Sequence, residues 1–150
     1  MQKIMYESGK WDIVFKRESP QDIVEIISDF FSIDEINRNA LAYELALIFC
    51  EISLEILRCT PEKYSLKGLV DFIGIMTLNK DTLQEWILLA KEKMTTDNEI
   101  RIKLVLFFLE QNDKRQYDFL SFIKKMIYKP YFNINTDIEV MESSVSPGIN

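Results

Sequence analysis

The chain has 150 residues, 47% of them apolar and 28% charged, with four glycines and four prolines. That length and apolar content suffice for a core without disulfides or metals, and so few turn residues disfavour all-β and glycine-rich doubly wound folds. A net charge of −6 and the absence of histidine exclude Ser-His-Asp and Cys-His catalysis and histidine-based zinc or di-iron sites, and disfavour nucleic acids and anionic membranes as partners.

The first ten residues are largely polar, contain Glu7 and do not read as a targeting segment. The stretch 11–16 (WDIVFK) alternates loosely and predicts a short strand or an extended arm. Trp11, beside Tyr6 and Phe15, either packs that arm onto the rest or serves as a partner anchor. Ser19-Pro20 is a helix start, an N-cap hydroxyl followed by proline at the first helical position. The first predicted helix covers 20–31, with Ile23, Ile26, Ile27 and Phe30 as its core stripe and Val24 and Phe31 at the edge.

The second predicted helix covers 34–58, with Ser32 and Asp34 as rival caps and Thr60-Pro61 ending it. It is apolar nearly all round and is predicted to be the central helix. The third covers 66–78, capped by Ser65, with Gly68 and Gly74 permitting close packing or a kink. The fourth covers 82–94 with Asp81 as cap. Thr96-Asp97-Asn98-Glu99 reads as a capping box that opens a fifth helix to 111, also apolar on most faces and predicted to be buried. The sixth covers 114–128, and Pro130 blocks its continuation. The tail 131–150 lacks helix signals, and 143–150 reads as disordered.

The predicted fold is therefore all-α: about six helices in a single compact bundle or short solenoid-like stack, with an extended N-terminal arm and a flexible C-terminal tail. One domain spans 1–150, with its core at about 19–130. No apolar run approaches the length of a membrane span. Cys50 and Cys59, too far apart on a helix to bridge, read as reduced core thiols of a soluble cytoplasmic protein. Phe107, Phe108, Phe119 and Phe122 read as core.

Gly9, Gly68, Gly74 and Gly148 never cluster into a phosphate loop, and no calcium-loop pattern occurs. No catalytic residue, metal ligand or cofactor is expected. A carboxylate mechanism with magnesium is the one enzymatic alternative left.

Residues 18–62 hold ten acids and two bases, a net of −8 against −6 for the whole chain, so charge is segregated. Glu18, Asp22, Glu25 and Asp29 step by four, three and four, which places them in one stripe opposite the apolar face of the first helix. Like charges at that spacing repel, and the helix dipole disfavours Asp29 near the C-terminus. Glu44, Glu51 and Glu55, joined by Arg58, form a second line on the central helix. Solvation alone accounts for both stripes. The functional reading is an acidic surface, Asp22, Glu25, Asp29, Glu44, Glu51 and Glu55, that docks a basic protein. On the sixth helix Lys114, Arg115, Lys125 and Lys129 share one side, and Lys124 lies apart with Tyr117 and Tyr128. Internal pairing or solvation explains that strip. RNA binding is the alternative, opposed by Asp118 and by the overall charge.

In size, acidity and helical character the chain resembles, in type and without signature residues, bacterial immunity proteins that neutralise a cationic toxin, often a nuclease. That likeness implies a non-enzymatic inhibitor with a basic toxin domain as partner. Viral Bcl-2-like proteins and helical adaptors offer a second likeness through the central apolar helix, implying an apolar groove for partner helices. The Asn-Trp-Gly-Arg element typical of the cellular members is absent.

Overall fold

At Ser19, Ser32, Ser65 and Asn79 an α-helix starts where a short polar side chain meets a free backbone amide. The computed structural model describes residues 8–111 and 113–133, which form eight α-helices, one 3-10 turn and no strand. Ser19 Oγ accepts from the Asp22 amide at 3.1 Å and opens α2 (Pro20–Ser28). Ser32 wins over Asp34 through a reciprocal capping box. Its Oγ accepts from the Glu35 amide at 3.1 Å, and Glu35 accepts from the Ser32 amide at 2.7 Å, opening α3 (Ile33–Arg38). Ser65 Oγ accepts from the Gly68 amide at the start of α5 (Leu66–Ile75).

Two caps differ from expectation. Asn79, not Asp81, opens α6 (Lys80–Glu92), its Oδ1 accepting from the Asp81 and Thr82 amides at 2.9 and 3.1 Å. The box predicted at 96–99 does not form before α7 (Glu99–Glu110). Asn98 instead spends its side chain on the connection, accepting from the Thr95 amide and donating to the Lys93 carbonyl.

The extended arm is replaced by a helix, α1 (Ser8–Arg17). Trp11 and Phe15, four apart, satisfy a period of two and also share one helical face. Both are buried, Trp11 stacked 5.9 Å from Phe30 and Phe15 edge-on to Tyr64 at 5.0 Å. Trp11 is thus a core residue and not an exposed anchor. The second predicted helix is two helices, α3 and α4 (Ala40–Leu57), broken at Asn39 with φ −138° and ψ 46°. Asn37 and Asn39, on either side of Arg38, have little helix propensity to resist that break. α5 stops at Ile75, short of 78. The last helix, α8 (Lys114–Asn133), runs through Pro130. Proline loses one amide donor there and clashes with the preceding turn. Its ring is buried, and Tyr131 lies 6.3 Å from Tyr128, so packing holds the last turn.

α4 is the central helix, in contact with α2, α3, α5, α6 and α7. α5 pairs with α8, and α7 lies against α4, α6 and α8. One apolar cluster runs from Trp11 to Ile127. At its centre Phe49 stacks on Trp86 at 5.3 Å, and the Trp86 indole donates to Ser53 Oγ at 3.1 Å. α7 is not the buried centre that its composition predicts: Ile100 is 76% and Phe107 46% exposed. Phe119 is buried, and Phe108 and Phe122 pack half-buried against the core. Both cysteines are free thiols, but only Cys50 is buried, and Cys59 is exposed. The predicted disorder at 143–150 lies outside the described residues. No helix among those described is long and apolar enough to cross a membrane.

Candidate functional site

α2 buries Ile23, Val24 and Ile27 against the core and leaves Asp22, Glu25 and Asp29 exposed. Asp22, in the first turn, faces the favourable end of the helix dipole. Asp29 is the C-cap, where that dipole opposes its charge, and its amide donates back to the Glu25 carbonyl. None of the three lies within ion-pair distance of a cation among the described residues. These three therefore form an unneutralised face, while Glu18, the fourth residue of the predicted stripe, lies before the N-cap Ser19, outside α2.

The second line on α4 divides. Glu44 holds Arg101 of α7 at 3.3 Å, and Arg101 also donates to the Asp97 carbonyl at 3.0 Å. Glu55 holds Lys93 at 3.5 Å. Arg58, which spacing aligns with these acids, is exposed and forms no ion pair among the described residues. Glu51 is half-buried and has no ion pair within that set. Burial raises its carboxyl above the usual range, Lys93 opposes the rise, and Glu55 and Glu25 add to it. Glu25 of α2 and Glu51 of α4 therefore lie close enough for their charges to interact, as the packing of α2 on α4 allows. Glu44 and Glu55, by contrast, each hold an internal cation. Lys93 and Arg101 are the residues that sequence reasoning missed, because they come from distant segments and no local spacing marks them.

The predicted basic strip of α8 is largely paired internally. Lys114 holds Asp118 at 2.9 Å, and Arg115 holds Asp113 at 3.1 Å and lies over the Phe107 ring. Lys129 grips both Glu35 oxygens at 3.0 and 2.9 Å and lies 5.1 Å above the Phe31 ring, which ties α3 to α8. The Lys129 hydrogen bond, then the Ser32 amide, hold the Glu35 carboxyl down at about 2. A carboxyl depressed by folding stabilises the native state above its unfolded pKa, and that contribution disappears as pH falls through the native value. Glu35→Gln is therefore expected to lower the melting midpoint near neutrality, and the gap from wild type to close as pH falls from about 4.5 towards 2. Thermal melts of both proteins across that range check this. A gap independent of pH contradicts it.

A groove of about 760 Å³ lies between the end of α4, the 3-10 turn Pro61–Lys63, α5 and α6. Ile56, Leu57, Phe72, Ile75 and Leu89 give it apolar walls, with Glu55, Glu85 and Lys93 among its polar lining. Its volume is within the range of ligand pockets, about 300–1,000 Å³. No group of three or more aspartate, glutamate or cysteine side chains is arranged to hold a metal ion among the described residues. Comparison with protein-family models, with curated proteins and with solved structures yields no match.

Proposed function

We propose that this protein is a non-enzymatic binding protein whose α2 face docks a basic protein, acting as an inhibitor of the immunity type that neutralises a cationic toxin such as a nuclease. The observation that carries this reading is the unneutralised row Asp22, Glu25 and Asp29, continued by Glu51 on α4. Elsewhere in 18–62, Glu35, Glu44 and Glu55 each hold an internal cation. Like charges three and four apart destabilise a helix by a few tenths of a kcal/mol per pair, and Asp29 adds an unfavourable dipole contact. A partner's lysines and arginines would relieve that repulsion and be steered to this face over a Debye length, about 8 Å at physiological salt. A cytoplasmic location goes with this reading, supported by the two unbridged cysteines.

The test uses the protein as bait in extract from its native source, beside the charge-reversed D22K/E25K/D29K variant. The wild type is expected to retain a basic protein whose toxic activity it suppresses, and the variant to associate at low salt about 10 to 1,000 times more slowly. Equal retention and equal suppression by both would remove α2 from the interface. A second reading, a groove binder for an apolar partner helix, is favoured by the walls of the 760 Å³ groove. It predicts that Ile75→Glu and Leu89→Glu, not the α2 variant, abolish binding.

A further inference from the structure

A second concavity, of about 320 Å³, lies between the C-terminal half of α5 and the middle of α8. Gly74, Thr77, Tyr117, Ser121, Lys124 and Lys125 line it, over an apolar floor from Ile73 and Leu120. No carboxylate does so, in a chain with 24 acidic residues. The contrast along α8 is sharper still. Lys114, Arg115 and Lys129 each hold an acid, whereas neither Lys124 nor Lys125 lies within ion-pair distance of one among the described residues. Lys124 is instead held 5.9 Å from the centre of the Tyr128 ring. Two neighbouring lysines thus line one concave surface, and neither has an ion-pair partner among the described residues.

Gly74 adds an independent observation. A methyl group built on it meets nothing within 4 Å, so no close packing demands glycine there. Glycine weakens a helix relative to alanine, and what this one leaves is depth in the groove. Tyr117, 68% exposed at the rim, offers a free ring face, and Ser121 and Thr77 bring hydroxyls that both donate and accept.

We infer that this groove binds a small phosphorylated ligand carrying a planar ring, of the nucleoside monophosphate class. The phosphate meets Lys124 and Lys125 in charge-assisted hydrogen bonds. The ring lies against Tyr117 over the backbone of Gly74, where stacking tolerates any base. The volume is at the lower end of ligand pockets, about 300 Å³, which suits a mononucleotide better than a polymer. This site is separate from the acidic face of α2 and does not depend on it.

Calorimetry with AMP, GMP, CMP and UMP as probes tests the assignment. Saturable one-site binding is expected for at least one of them in the range up to about 1 mM. The parent nucleoside and inorganic phosphate should each bind at least about tenfold more weakly, since each lacks one of the two contacts. Lys124→Ala/Lys125→Ala should weaken binding by about tenfold or more. Gly74→Leu, which places its side chain in the groove, should abolish it, while Gly74→Ala retains it. Melting curves check that these variants stay folded, and the lysine pair keeps the test decisive should Gly74→Leu unfold. Absence of saturable binding by all four nucleotides, or binding indifferent to the lysine pair, overturns the assignment. So does a phosphorylated oligonucleotide bound far more tightly than any mononucleotide.

Discussion

Gly68→Ala is expected to destabilise the fold by about 3 kcal/mol, while Gly74→Ala in the same helix is expected to stabilise it by about 0.5–1 kcal/mol. The two glycines are six positions apart in α5 and look alike in the sequence. Their surroundings are opposite. A methyl group on Gly68 would overlap the carbonyl oxygen of Lys63 and come within 2.8 Å of its carbonyl carbon. Backbone cannot rotate aside as a side chain can, so either the 3-10 turn Pro61–Lys63 or the first turn of α5 must move. That first turn is also where the Gly68 amide donates to Ser65 Oγ at 2.9 Å, so the cap is strained with it. At Gly74 the methyl group meets open space, and alanine gains its ordinary helix preference. Urea unfolding of the two variants measures both signs. Shifts of the same sign would show that propensity alone governs both positions. The turn that Gly68 accommodates also forms one wall of the 760 Å³ groove, since Lys63 and Gly68 both line it.

Trp86→Ala is expected to cost about 3–5 kcal/mol, the range for truncating a large buried aromatic. Trp86 is fully buried, stacks on Phe49 and donates its indole N–H to Ser53, itself fully buried. It therefore locks α6 onto α4. Ser53→Ala should cost about 1–3 kcal/mol, because it strands a buried donor. Trp86→Phe removes the donor and leaves the hydroxyl unsatisfied. The double variant Ser53→Ala/Trp86→Phe should be less destabilised than the sum of the two single variants, by roughly 1 kcal/mol. Strict additivity in urea unfolding would mean that the hydrogen bond contributes nothing. Loss of this contact should also deform the large groove, because Ile56 and Leu57 of α4 face Leu89 of α6 across it.

What the sequence made legible follows the range of each interaction. The serine caps at 19, 32 and 65 are decided within four residues, and local spacing finds them. The apolar character of 40–57 marks a central helix, since nothing but burial suits such a surface. The α1 helix was illegible because Trp11 and Phe15 fit a period of two as well as of four. The passage through Pro130 depends on tertiary packing that outweighs propensity, and the Asn39 break falls at a weak point that the apolar pattern on either side conceals. Asn98 matched a capping pattern, yet its side chain had a competing use in the loop.

The acidic site was legible in part for the same reason. Asp22, Glu25 and Asp29 share the exposed side of α2, as their spacing predicts, whereas Glu18 precedes the N-cap Ser19 and is half-buried. Two carboxylates of the α4 line meet cations that its own spacing does not mark: Arg101 reaches Glu44 from 57 positions away, and Lys93 reaches Glu55. Lys129 likewise reaches Glu35 across 94 positions, which no helical periodicity encodes. Of the six carboxylates that spacing selects, Asp22, Glu25, Asp29 and Glu51 have no ion pair among the described residues. Charges that fold partners already satisfy contribute little to attracting a further partner, whereas unsatisfied ones do so at every encounter.

The proposed docking of a basic protein on these carboxylates is electrostatic and should weaken as salt rises. The most direct measurement is the salt dependence of its complex with the captured partner, for wild type and for the Asp22→Asn/Glu25→Gln/Asp29→Asn variant. Glu44→Gln/Glu55→Gln serves as the internally paired control. The α2 variant is expected to lose about tenfold or more in association rate at low salt and to show a flatter salt dependence, with the control close to wild type. An α2 variant whose rate and salt dependence match the wild type would contradict it.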